Sequence, residues 1–213
     1  MAVTLQTHIN QINRLLHDSQ STYLGTTDDP NEKIDYINQA RRRVAADTAC
    51  LRQLKTVSLT INVEKFAFPT ITGSDGTLDV LCIYVLSGNT RTPLGWRNFT
   101  DFTINWRPTT SRKGKPIVFS IYQQEIYVAP IPNQTYSSEW DVLYIPTDLT
   151  GLTNPETIPY PYSDLVPYYA AHLAYYKDKA YEESRELLQK YKDLRIEVMG
   201  SVYQVKRLLF SDG

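Results

Sequence analysis

The spacing of apolar residues changes twice along this chain of 213 residues, and that double change constrains the fold more than any motif in it. Leu5, Ile9, Ile12 and Leu16 recur at helical spacing with polar residues between them, which predicts an amphipathic first helix. "STYLGTTDD" breaks the pattern. Asp29, Pro30 and Glu32 then read as a helix start, with a capping carboxylate, a proline in the first turn and an acid three residues after the cap. This second helix is predicted to continue through Ile34, Ile37, Ala40 and Val44 to Leu51. After Lys55 the pattern turns to alternation. "TVSLTINV", "VLCIYVL", "IVFSIY", "EIYVAP" and "WDVLYIP" are rich in β-branched and aromatic residues, with the turn signals "GSDG", "SGNT", "RKGK" and "PNQT" between them. From "TNPETIPYPYSD" onward helical spacing returns. Ser163 reads as the N-cap of a helix over 164–178 with Pro167 in its first turn. The charged segment "AYEESRELLQKYKDLRIEVMG" follows, carrying Leu187, Tyr191, Leu194 and Val198 as one apolar stripe, and Gly200 is predicted to end it.

Helices, then strands, then helices define an α+β chain. It is most simply built as a discontinuous helical bundle (1–55 and 155–199) with an inserted antiparallel β module (56–154), a small barrel or sandwich, because the ends of an insertion lie close together. Residues 200–213 remain as an extended C-terminal arm. Val202, Tyr203, Val205, Leu208, Leu209 and Phe210 make this segment too apolar to stay in water, so it folds back or docks into a partner.

Charge and composition exclude some functions. The chain is 42% hydrophobic and 21% charged, a globular balance, and its net charge of −1 gives no global attraction to nucleic acid or an anionic membrane. Cys50 and Cys82 have neither metal-ligand spacing nor the density of a disulfide framework, which fits a reducing cytoplasm. The N-terminus lacks the pattern of a signal peptide, and "VLCIYVL" is far too short to span a membrane.

Few residue types converge on chemistry. His8, His17 and His172 belong to no metal motif, and His172 reads as a packed helical residue. "DDPNE" lacks calcium-loop spacing and is accounted for by capping. Glu182, Glu183 and Glu186 resemble a carboxylate pair for glycoside cleavage but sit in a mixed-charge helix, where a solvated face explains them better. No P-loop, GxSxG or GxGxxG occurs, so no catalytic residue, metal or cofactor is expected. Two basic features remain. Arg41, Arg42 and Arg43 stand in the second helix as candidates for a subunit interface or a DNA-lining belt, beside the alternative of simple solvation. Arg112, Lys113 and Lys115 are placed on a predicted hairpin tip. Tyr168 and Tyr175, like Tyr169 and Tyr176, are seven positions apart on nearly the same face of a helix that is apolar almost all round. That helix needs cover on more than one side, from its own chain or from another copy.

Taken together, "NEKIDYINQARRRV", the β insertion and "PYPYSDLVPYYAAHLAYYKDKAYEESRELLQKYKDL" resemble the head-to-tail adaptor (connector or neck) proteins of tailed bacteriophages. The likeness is one of layout and texture over most of the chain. It implies a virion structural protein, made in the host cytoplasm, that forms a ring, typically twelvefold, beneath the portal protein. Tail or nozzle proteins would meet the opposite face, and double-stranded DNA would pass through the channel without sequence-specific contact. On this resemblance Tyr203, Val205, Lys206, Arg207, Leu208, Leu209 and Phe210 form the portal-binding arm, and the loop with Arg112, Lys113 and Lys115 docks the tail. Other readings are a tail-tube or tail-completion protein, a carbohydrate- or nucleic-acid-binding module, and a cell-wall hydrolase.

Overall fold

The structure, a computed structural model, describes residues 3–17, 32–107 and 112–209. These form two compact units, one drawn from Met1–Cys50 with Pro146–Gly213 and the other from Leu51–Ile145. The fold is α+β, with five α-helices among the described residues and sheets dominated by antiparallel pairing.

The first unit is helical. Helix α1 (Leu5–Leu15) starts where Thr4 and Thr7 cap one another, and it buries Leu5, His8 and Ile12. Its first free amides are bound by the later chain, Leu5 N–H to the Asn154 carbonyl and Gln6 N–H to that of Leu152. Helix α2 (Glu32–Thr48) buries Ile37, Ala40, Val44 and Ala45. It stops at Thr48 and does not reach Leu51, because Ala49 takes a left-handed φ of 50°. The predicted start at Asp29 and Pro30 lies outside the described residues. A 3-10 turn (Tyr162–Leu165) leads into α4 (Val166–Lys177). Ser163 is therefore inside that turn and does not cap the helix, while Pro167 sits in the first turn of α4 as predicted. After a break at Lys179 (φ 62°), α5 runs from Tyr181 to Leu209. Gly200 does not end it. A mid-helix glycine costs only about 1 kcal/mol, and helix-forming residues follow it on the far side. The backbone of 201–209 is helical where an extended arm was expected, and Phe210 lies outside the described residues.

The second unit is a β-sandwich. Its strands are β1 (Arg52–Leu59), β2 (Lys65–Ala67), β3 (Ser74–Ser87), β4 (Thr90–Pro93), β5 (Gly95–Trp96), β6 (Lys113–Gly114), β7 (Val118–Tyr122), β8 (Glu125–Ala129), β9 (Ile131–Pro132) and β10 (Tyr136–Pro146). One sheet has the order β1-β10-β3-β4 and the other β2-β8-β7-β5, with β6 and β9 as a separate pair. Ile83, Val85, Trp140 and Val142 of the first sheet meet Phe119, Ile126 and Val128 of the second in one core. Along β7 the alternation sends Phe119 into this core and Val118 to the outer face, where a short helix α3 (Phe99–Asn105) covers it with Phe102. Sequence spacing misses α3 because seven residues are too few to show a helical period.

Two turns depart from expectation. "GSDG" opens β3 and joins no hairpin; Gly73 turns the chain with a φ of 77°. A two-residue hairpin with neither Asn nor Gly joins β7 and β8, where Tyr122 pairs with Glu125 across Gln123 and Gln124. Both glutamines have positive φ, 51° and 60°, a conformation that costs a residue with a Cβ roughly 1–2 kcal/mol. Asn and Gly are the residues this turn favours. The double substitution Gln123→Asn, Gln124→Gly is therefore expected to stabilise the protein by about 1–2 kcal/mol, read as a higher urea midpoint with an unchanged slope. No gain would show that the native turn carries no such strain.

Candidate functional site

The three adjacent arginines of α2 have separate environments. Arg41 is fully buried, at 0% exposure. Its Nε donates to both carboxylate oxygens of Glu156 at 3.1 and 3.0 Å, one Nη to the Thr147 carbonyl at 2.7 Å and Asn38 Oδ1 at 3.2 Å, and the other to Thr157 Oγ1 at 3.1 Å. This corrects the reading of Arg41 as an interface or channel residue: its donors are spent inside its own unit. The helical turn forces the outcome, since successive residues point about 100° apart and three neighbours cannot share one environment. Arg42 faces solvent and pairs with Asp148, and Arg43 faces solvent and pairs with Asp47.

Glu156 is the centre of the buried group. Besides Arg41 it takes His8 Nε2 at 2.9 Å and the amides of Thr157 and Ile158 at 2.8 and 2.9 Å. A carboxylate only accepts, so Nε2 of His8 carries the proton. Burial alone would raise the Glu156 carboxyl. The His8 bond, the Arg41 charge and the Ile158 amide outweigh it and hold the carboxyl below its ordinary range. Beside it, Asn38 bonds both the amide and the carbonyl of Leu149. Together these ties fix α1, α2 and the segment following β10.

A second cluster joins α2 to α5. Asp47 Oδ2 accepts from Arg43 Nε at 3.1 Å, Tyr191 Oη at 2.9 Å and Arg195 at 3.0 Å. Burial and then the Asp47 bond push the Tyr191 phenol up, so it remains a donor. Sequence spacing reads Tyr191 only as part of an apolar stripe and passes over Asp47 and Glu156. Nothing in a single sequence pairs Asp47 with Tyr191 or Arg41 with Glu156.

The tyrosine-rich helix is built into the α4–α5 contact. Tyr175 is buried, Tyr169 packs edge-on against Tyr191, and Tyr176 is exposed and meets Tyr181. His172 lies between Tyr169 and Tyr176, and its Nδ1 is within 2.9 Å of the Ser184 carbonyl and 2.8 Å of its hydroxyl. His172 thus ties two helices together. Glu182 and Glu186 stand exposed on α5, and the Lys190 bond holds Glu186 below the ordinary carboxyl range. A general acid for glycoside cleavage needs the opposite shift. Among the described residues, no group of three His, Cys, Asp or Glu side chains is placed to hold a metal ion, and no helix is long and apolar enough to cross a membrane.

In the β unit, Lys113 and Gly114 form β6, paired in parallel with β9, which corrects the hairpin tip predicted there. Lys113 pairs with Ile131 and Gly114 with Pro132, partners distant in sequence. Arg112 lies over the Trp106 ring at 5.8 Å, and Lys115 Nζ donates to Thr92 at 3.3 Å. Of the C-terminal residues, Tyr203, Val205, Lys206, Arg207, Leu208 and Leu209 fall on the helical backbone of α5.

The buried Arg41–Glu156 pair ties one element of the helical unit to another, and aromatic residues such as Tyr176 remain exposed on it. The chain belongs to the SU10 adaptor protein family, whose model matches residues 3–207. No curated protein shows significant similarity to it.

Proposed function

We propose that this chain is a virion structural protein of a tailed bacteriophage, an adaptor that forms a ring beneath the portal, connects head to tail and surrounds the DNA passage without catalysing a reaction. Membership of an adaptor family over nearly the whole chain carries the reading. The shape of α5 supports it. At 1.5 Å per residue its 29 residues span about 44 Å, and it continues for eleven residues beyond Val198, its last buried position among the side chains described. Residues 201–213, with Tyr203, Val205, Leu208, Leu209 and Phe210 as anchors and Lys206 and Arg207 for register, are the portal-binding element. It is a helical one over 201–209. Each copy binds weakly, and many copies on one ring hold firmly through effective concentration. Arg42 and Arg43 face the neighbouring subunit or the channel, and Arg112, Lys113 and Lys115 face the tail.

Truncation tests this. A chain ending at Gly200 is expected to melt within a few degrees of the full chain yet fail to join portal rings in sedimentation and electron microscopy. Early melting or aggregation would mean that the segment is part of the bundle core. Portal binding by the truncated chain would remove the docking assignment.

A further inference from the structure

The tip of the β7–β8 hairpin carries an aromatic ring that is fixed from behind and open in front. Phe99, the first residue of α3, lies parallel to Tyr122, with ring centroids 4.2 Å apart and 9° between the planes. Phe99 is held in turn by the rings of Tyr127 at 5.2 Å and Phe102 at 6.5 Å. Tyr122 is 43% exposed, and with Phe99 on one face that exposure falls on the opposite face and the edge. A single exposed ring is ordinary. The groups around this one are less so. Tyr122 faces Glu125 across the strand pair, and Glu125 is joined to Lys65 at 2.6 Å. Gln123 and Gln124 lie between them in the chain, both exposed and, among the described residues, with their side-chain amides free. Both hold positive φ in a turn that favours Asn and Gly. Backbone conformations of this cost persist where the side chains they display are used.

We propose that this tip is a carbohydrate-binding site, in which the open face of Tyr122 stacks on the C–H face of a neutral sugar ring while Gln123, Gln124 and Glu125 bond its hydroxyls. The inference goes beyond the adaptor reading and does not depend on it. A sugar ring has an apolar face bordered by hydroxyls, and the tip offers the complement, an aromatic face bordered by polar groups. A hydroxyl both donates and accepts. A glutamine amide supplies donors and an acceptor, and a carboxylate supplies acceptors, so neighbouring hydroxyls can be satisfied from both sides. The charge at the site is already balanced, because Lys65 is taken by Glu125. A nucleic-acid strand could stack a base on Tyr122, but its phosphates need free cations along the backbone. The ligand that suits a neutral, amide-edged ring is a neutral glycan.

The test titrates the full chain with maltohexaose, cellohexaose, mannohexaose and chitohexaose and follows its amide signals by NMR. At least one of these sugars is expected to bind, moving the side-chain NH2 signals of Gln123 and Gln124 together with the backbone signals of 122–125. Tyr122→Ala should weaken that binding about tenfold or more, and Tyr122→Trp should keep or tighten it. The turn variant Gln123→Asn, Gln124→Gly should raise the urea midpoint and yet weaken sugar binding severalfold, a split that a merely structural turn would not produce. No response to any of the four sugars would overturn the site, as would signals moving elsewhere on the chain or binding that Tyr122→Ala leaves intact. Salt-sensitive binding of single-stranded DNA at the same signals, in place of the sugars, would assign the ring to another ligand and overturn it too. None of these outcomes bears on the adaptor reading, which the truncation at Gly200 tests separately.

Discussion

Replacing Glu156 by Gln is expected to destabilise the helical unit by about 3–5 kcal/mol, the cost of leaving a buried charge without its partner. Arg41 is at 0% exposure and the Glu156 side chain at 2%, so no water can take over from the carboxylate. Gln keeps the shape and one acceptor oxygen but presents an NH2 group to donors from Arg41 and His8. The measurement is urea unfolding at neutral pH. A double replacement, Arg41→Met with Glu156→Leu, should recover much of the loss, because removing both charges also removes the desolvation penalty. A loss below about 1 kcal/mol for Glu156→Gln would mean that the site is wetter than its geometry states.

The same carboxylate gives a pH dependence of known sign. Its folded-state pKa is held below the unfolded value, so the unfolded chain binds its proton first as pH falls. The stabilisation is complete above the ordinary carboxyl pKa, near 4.3, and is lost as pH drops through the lowered folded value. The native protein should therefore lose stability steeply on the acid side of pH ~4, and the Arg41→Met, Glu156→Leu variant less steeply.

Replacing Asp47 by Ala is expected to cost about 2–3 kcal/mol and to loosen α5 from α2. Asp47 Oδ2 is the shared acceptor for Tyr191, Arg43 and Arg195, and the Tyr191 ring is buried. Without Asp47 the buried hydroxyl loses its charged acceptor, a loss of the order of 1–3 kcal/mol by itself. Arg43 is half exposed and adds little. Hydrogen exchange should report the change locally, with faster exchange of the α5 amides near Tyr191 and unaltered exchange in the β-sandwich. Equal loosening of both units would contradict the placement of this tie. Tyr191→Phe offers a gentler comparison, since it deletes donor and burial cost together and should lose less than Asp47→Ala.

The sequence by itself determined the α+β class and most of the elements. Periods of 3.6 and 2 follow from backbone geometry and one buried face, so Leu5, Ile9 and Ile12 marked α1, and "IVFSIY" and "EIYVAP" marked β7 and β8, before any tertiary contact was considered. Local chemistry also placed Pro167 in a first helical turn. Where the stop signal was weak the reading failed: a single glycine at 200 could not halt α5, because the residues after it favour helix and its own penalty is small. The site was the least legible part. Three consecutive arginines look equivalent in sequence, and only the packing of α2 against α1 and the segment after β10 decided that Arg41 is buried while Arg42 and Arg43 face solvent. The pairing of Arg41 with Glu156 and of Asp47 with Tyr191 spans more than a hundred residues, and such pairs arise from the closing of the bundle, not from any local spacing. The edge strands of the sandwich belong to the same category. Alternation marks a strand only after Lys55, whereas β1 begins at Arg52, and only the order of strands in the two sheets shows which strand is left at an edge.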